Sequence, residues 1–260
     1  MKSNFKKDFS FEKKIGDFLD TNFYDWLVDN EPGFESYRRI DNVQDQKKGK
    51  DVVVKLGSET SSDNSGYYNI DEKCASYYIN EMLKTFAFEL SYLNKGTENQ
   101  GWLYDKNKET DIYALIWPNI HIKKYTKLLS TYKKDNALNK SKWFKDIKST
   151  DFTLFEVWMV RRNKLIELLS DEFGLDEKRI LEIRQQVRLS SRNPDPVNRN
   201  YSIQINNYLE EKPINIVLKK SAFRDIATRY IIYDGEVINL NRYEEMLRDR
   251  NNNIKNKING

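Results

Sequence analysis

Asp51-Val52-Val53-Val54 and, after a polar interval, Tyr67-Tyr68-Asn69-Ile70-Asp71-Glu72-Lys73 are the stretches whose reading decides the fold. Each couples a short β-branched or aromatic run to charged residues at one end. The segment from Gly57 to Gly66 between them is dominated by Ser, Asp, Asn and Gly, the chemistry of a loop joining two strands. A β-hairpin is expected. Side chains alternate across a strand, so Asp71 and Lys73 share one face and Glu72 takes the other. Asp51 and Asp71 can then converge at one strand end with an ammonium beside them. Such a group suits a hard divalent cation such as Mg²⁺, with the lysine placed to orient or deprotonate an attacking water.

Upstream, Phe9, Phe11, Ile15, Phe18, Leu19, Phe23, Trp26 and Leu27 recur at helical spacing from about residue 10 to 29, with Ser10 as an N-cap. Glu12 falls in the first turn of this amphipathic helix, where it serves either the helix dipole or a metal site. Glu31-Pro32-Gly33 ends the helix, Tyr37 to Val43 reads as a first strand, and the polar turn from Gln44 to Gly49 feeds Asp51. Downstream, Thr85 to Tyr92, Trp102-Leu103-Tyr104 and Asp111 to Trp117 read as strands, the last closing at Pro118. They are expected to extend the sheet antiparallel beyond the strand carrying Asp-x-Lys. Glu89, acidic in an apolar run, reads either as an additional ligand or positioner of Lys73, or as a solvent-facing residue on an edge strand.

The order helix glutamate, strand aspartate, then Asp-x-Lys on the next strand resembles the PD-(D/E)xK nuclease superfamily over about residues 8 to 118. The resemblance implies an α/β (α+β) chain with a restriction-endonuclease-like core, a mixed central sheet flanked by helices. On that reading residues 1–118 form the nuclease-like core, 119–150 a lysine-rich connection, and 151–260 a C-terminal α/β extension packed on the core. It also implies metal-assisted phosphodiester hydrolysis. Asp51 and Asp71 would hold one or two Mg²⁺ ions, for which Mn²⁺ can substitute. The backbone carbonyl of Glu72 would complete the shell, Glu12 would hold a second ion or a metal-bound water, and Lys73 would position and activate the nucleophile. DNA is a better fit than RNA as substrate, in restriction, repair or mobile-element processing. A catalytically inactive nuclease-fold module that binds nucleic acid or mediates assembly is the alternative, and a homodimer is left open.

The net charge of +4 hides a polarised distribution. From Asp8 to Glu31 seven acidic residues face only Lys13 and Lys14, whereas Ile122 to Lys148 carries nine lysines against Asp135 and Asp146. Interleaved with Tyr125, Tyr132, Trp143 and Phe144, those lysines read either as a track for a phosphate backbone, through Lys123, Lys124, Lys127, Lys142 and Lys145, or as a solvated helix face. Arg188 and Arg192, near the proline-stiffened Asn193-Pro194-Asp195-Pro196, form a second candidate for nucleic-acid contact.

The C-terminal part reads as a strand from Leu154 to Val160 and a helix through Leu169, ended by Gly174. A second helix starts at Asp176, a strand spans 214–218, and a short helix runs from Ser221 to Tyr230. A hairpin around Asp234-Gly235 and a frayed tail from Asn251 complete it. Cys74 is the only cysteine, which excludes an internal disulfide and a cysteine-based zinc site; His121 is the only histidine and reads as structural or incidental. No apolar run approaches bilayer length and the amino terminus leads into no apolar signal segment, so a cytoplasmic protein is expected.

Overall fold

A computed structural model describes residues 5–57, 66–132, 142–194 and 198–259, of which 5–9 and 250–259 are described as backbone only. In chain order the elements are α1 (Phe5–Leu19), a π-turn (Asp20–Tyr24), α2 (Asp25–Asn30), β1 (Phe34–Arg39), α3 (Val43–Lys47), β2 (Val52–Leu56), β3 (Tyr67–Cys74), β4 (Thr85–Asn94), β5 (Thr97–Gln100), β6 (Ile112–Ile120) and α4 (Ile122–Thr131). Then follow β7 (Phe152–Arg161), α5 (Arg162–Asp171), α6 (Glu177–Ser190), β8 (Tyr201–Ile205), β9 (Ile214–Lys219), α7 (Lys220–Phe223), β10 (Ala227–Tyr233), β11 (Glu236–Asn239) and α8 (Leu240–Asn259).

The strands build two sheets. A seven-stranded mixed sheet has the order β1-β2-β3-β6-β7-β10-β11, and a four-stranded sheet the order β5-β4-β9-β8. In the large sheet β3 and β6 run parallel and every other neighbouring pair is antiparallel. The expected hairpin is present, with Val52 opposite Ile70 and Val54 opposite Tyr68. β6 is buried almost throughout because helices cover one face of the sheet and the second sheet covers the other, which is why its sequence Ile-Tyr-Ala-Leu-Ile-Trp lacks alternation. Alternate residues serve two cores: Ile112, Ala114 and Ile116 meet α1, α2 and α4, whereas Tyr113, Leu115 and Trp117 meet β4, β9 and α5.

Several expectations are corrected. β4 leaves the first sheet and joins the second through β9 and β5, so it does not extend the Asp-x-Lys sheet antiparallel; β6 takes the place beside β3 and is parallel to it. Trp102-Leu103-Tyr104 is a turn. Its apolar side chains are core anchors, with Leu103 and Tyr104 buried and the Tyr104 hydroxyl donating to the Leu175 carbonyl at 3.0 Å. The first strand is β1, ending at Arg39, and Asn42 caps the helical turn α3 where a polar turn was expected. The short helix after β9 ends before Ala227, where β10 begins, and α8 carries the C-terminal segment on to Asn259. Both sheets draw strands from either side of the expected boundary at 118, so the stretches assigned to core and extension interleave.

Candidate active site

The site grows out of the β2–β3 hairpin. The α3 turn closes at Gly49, whose φ of +78° a side chain would strain. A Cβ there would also lie 2.1 Å from Thr110 Oγ1 and 3.1 Å from Asp71 Oδ2, so only glycine lets this turn close over the aspartate. The chain then enters the sheet at Asp51, whose N–H donates to the Ile70 carbonyl at 2.9 Å and whose carbonyl accepts from Ile40 N–H at 2.9 Å. One step back along the Val52–Ile70 register, Asp51 stands opposite Asp71, and paired residues on adjacent strands share a face.

Asp71 is buried, with 2% of its surface exposed. Its Oδ1 accepts from Lys73 Nζ at 2.6 Å, while Oδ2, equally buried, has no hydrogen-bond partner among the described residues. Asp51 Oδ2 accepts from the Glu72 backbone N–H at 2.8 Å. Burial, and then the neighbouring Asp71, push the Asp51 carboxyl well above the usual carboxylate range. Burial alone would lower the Lys73 ammonium, but Asp71 and Asp51 outweigh it and raise the group. The ammonium form of Lys73 is thus favoured, and it donates to Asp71. Its Nζ also lies 5.2 Å from the centre of the Trp102 ring.

The second sheet supplies Glu89. β4 lies between β5 and β9, but β5 pairs with it only from Ser91 onward, so Glu89, half-buried, is paired on one side, with Asn215 of β9. Burial raises its carboxyl, and Lys73 and the Trp102 backbone N–H partly offset that rise. Gly101 permits the contact, because a Cβ on it would lie 2.3 Å from the Glu89 carbonyl oxygen. Lys108 completes the cluster from the loop before β6. Burial and the positive charge of Lys73 lower its ammonium, against the pull of Asp71, Asp105 and Asp51.

The backbone of Glu72 is at the site, its N–H on Asp51, but its side chain points to the helix-covered face, where the carboxylate accepts from Tyr24 Oη at 2.8 Å and from two Arg39 nitrogens at 2.9 Å each. Arg39 also binds Asp20 at 2.6 Å. Glu12, exposed on α1, acts together with Glu72 on the Cys74 thiol, which burial pushes up first; it is on the Cys74 side of β3 and is not brought to Asp51 and Asp71.

Lys123, Lys127, Lys142 and Lys145 are exposed, and Lys124 bridges Asp151 at 3.3 Å. The described parts of their segment, 122–132 and 142–148, pack on the helix side of the large sheet, opposite Asp71 and Lys73. The interleaved aromatics are the reason. Trp143 and Phe144 are buried, Phe144 stacks on Phe11 at 4.2 Å, and Lys14 Nζ ties the Phe144 and Ile147 carbonyls at 2.7 and 2.6 Å. The Arg188 guanidinium is spent inside the molecule on Glu98, Ser91 Oγ and the Lys212 carbonyl. Arg192 is exposed, and His121 caps α4.

Among the described residues no three Asp, Glu, His or Cys side chains converge as a metal cage. The pair Asp51 and Asp71, with one oxygen lacking a partner and one carboxyl strained toward protonation, still fits a hard cation that keeps most of its waters and takes one or two carboxylates from protein. Sequence reasoning missed Lys108 and Trp102, whose neighbours in the cluster are remote along the chain. Searches of protein-family models, curated proteins and solved structures give no match to this chain.

Proposed function

We propose that the chain is a metal-dependent nuclease of the PD-(D/E)xK type, with a restriction-endonuclease-like core, hydrolysing phosphodiester bonds of DNA. The observation that carries this reading is the hairpin pair. Asp51 and Asp71 face each other on neighbouring strands, Lys73 is bound to Asp71 on the same face, and Asp71 Oδ2 has no partner among the described residues. A buried carboxylate oxygen left unpaired is costly and calls for a compensating ligand.

Asp51 and Asp71 are the residues that would hold Mg²⁺ or Mn²⁺, and such a cation supplies a lowered water pKa and neutralisation of charge on the phosphoryl oxygens. Lys73, held as an ammonium, fixes Asp71 in one rotamer and keeps donors for a phosphate oxygen or for the attacking water. Glu89, whose carboxyl burial raises above the ordinary carboxylate range and which feels the charge of Lys73, is the candidate acceptor for a proton of that water.

A second reading is a nuclease fold that binds nucleic acid without cutting it. The observation in its favour is that Glu12 and the Glu72 side chain lie on the other face, leaving a two-carboxylate site. One experiment separates the two: purified protein is offered supercoiled, linear and branched DNA with Mg²⁺ or Mn²⁺, while Mn²⁺ binding is followed by calorimetry. Metal-dependent cleavage is expected. DNA binding with neither Mn²⁺ uptake nor cleavage of any substrate would give the case to the binding module.

A further inference from the structure

Lys108 is half-buried, yet it belongs to no ion pair among the described residues. Its Nζ donates to the Lys47 carbonyl at 2.6 Å, which leaves two of its three protons for other acceptors. The loop that carries it is held stiffly. Arg162 donates to the carbonyls of Leu103, Asp105 and Lys108 at 3.2, 2.8 and 3.2 Å. Glu109 bridges Lys48 and Lys50, Glu109 N–H donates to the Lys48 carbonyl at 2.8 Å, and Thr110 Oγ1 donates to the Gly49 carbonyl at 3.0 Å. Two loops are thus laced together over Asp71, where Gly49 closes on Oδ2, and the Lys108 ammonium is held at the Lys47 carbonyl of the same turn.

A purely structural lysine would reach a carboxylate or turn into solvent, because partial burial of a charge without a counter-ion is unfavourable. An anion arriving at the acid pair would reverse that balance. Resting on the nuclease reading for the class of ligand, we infer that Lys108 is a phosphate-contacting residue, donating to a non-bridging oxygen of the nucleic-acid backbone at the Asp51–Asp71 site, with exposed Lys47 and Lys48 continuing the same rim. The nucleic-acid track then crosses the loops around Gly49 and Lys108, and not the lysine-rich segment on the far face.

The test uses the full chain and two independent readouts. Binding of a fluorescent duplex is measured by anisotropy over a salt series, with Ca²⁺ and with EDTA, for the wild type, Lys108→Gln and Lys108→Arg. In parallel, acylation of Lys108 in the wild type is followed by mass spectrometry with and without the duplex. Lys108→Gln should bind several-fold more weakly with a salt slope smaller by about one, and Lys108→Arg should bind as the wild type. Lys108 acylation should slow when the duplex is bound.

Unchanged affinity in Lys108→Gln, or acylation indifferent to the duplex, overturns the inference even if the wild type cleaves DNA. Weakened binding and protection in a protein that never cleaves would sustain the contact and sink the nuclease reading. A wild type that binds no nucleic acid would overturn both.

Discussion

Glu72 and Asp71 are neighbours on one strand, and the two faces of β3 treat their carboxylates in opposite ways. Glu72 meets a tyrosine hydroxyl and two guanidinium nitrogens, so its acceptors are met by fixed donors. Asp71 receives one lysine bond and keeps a buried oxygen with no partner among the described residues, opposite a second carboxylate. A saturated buried charge stabilises the state that contains it; an unsaturated one stores a cost that a ligand can remove. One side of the strand holds the helix layer, and the other keeps an unmet acceptor among the described residues.

The largest effect should come from breaking the side with the unmet acceptor. Asp71→Asn should abolish Mn²⁺ uptake and reduce cleavage below detection, whereas Lys73→Ala should keep some metal binding while cleavage falls about a hundredfold or more, the scale of losing one positioned group. Calorimetry and a plasmid-nicking assay read the two outcomes. Equal loss of metal by both variants would mean that Lys73 builds the site and has no separate role in the chemistry.

The saturated side should respond in stability instead. Glu72→Ala strands Arg39 between Asp20 and an emptied partner, and should cost roughly 2 kcal/mol, since breaking a largely buried ionic network by removing one member is expensive. Asp51→Asn should do the reverse. Removing one of two opposed carboxylates relieves repulsion and should add on the order of 1 kcal/mol in metal-free buffer. Denaturant midpoints compare them directly, and a loss of stability in Asp51→Asn would erase the distinction between the faces.

These contrasts bear on what could be read from the chain. Facing of Asp51, Asp71 and Lys73 was legible because it depends only on period-two alternation across one hairpin. The fate of β4 was not. Phe86, Phe88 and Leu90 alternate like any half-buried strand, and nothing local says which of two sheets receives them. β8 escaped although Tyr201-Ser202-Ile203-Gln204-Ile205 alternates apolar and polar as a half-buried strand does, because a run of five residues between polar loops is short. Lys108 was invisible for a related reason: it meets the Lys47 carbonyl, which belongs to a loop 61 residues away along the chain. The aromatic-lysine mixture from 122 to 148 left two readings open because composition is the same whether rings stack on bases or, as Trp143 and Phe144 do, fill a core.

A saturated carboxylate far from the site gives a smaller effect and fixes the sign of the comparison with pH. Glu244 accepts from Arg229 and Arg224, and these bonds hold its carboxyl down at about 2, below its ordinary value of 4.5. A depressed folded-state value contributes stability above the ordinary pKa and loses it as pH falls toward the folded one. The melting temperature of the wild type should therefore exceed that of Glu244→Gln near neutral pH. The gap should narrow below about pH 4.5 and close near about pH 2. A gap that persists at the acid end would show that packing, and not charge, holds α8 to β10.

The smallest effect is expected where the sequence was most suggestive. Lys123, Lys127 and Lys145 are exposed on the helix-covered side of the large sheet, while Asp71 and Lys73 face the second sheet. The sheet and its packed layer put roughly 10 Å or more between the two surfaces, beyond a Debye length of about 8 Å at physiological salt. A duplex held at the acid pair would gain little from those lysines. Reversing all three to glutamate should leave DNA affinity within about twofold of the wild type at physiological salt and leave the salt slope unchanged. A drop of tenfold or more, with a slope reduced in proportion, would move the nucleic acid to the α4 face and detach it from Asp51, Asp71 and Lys73.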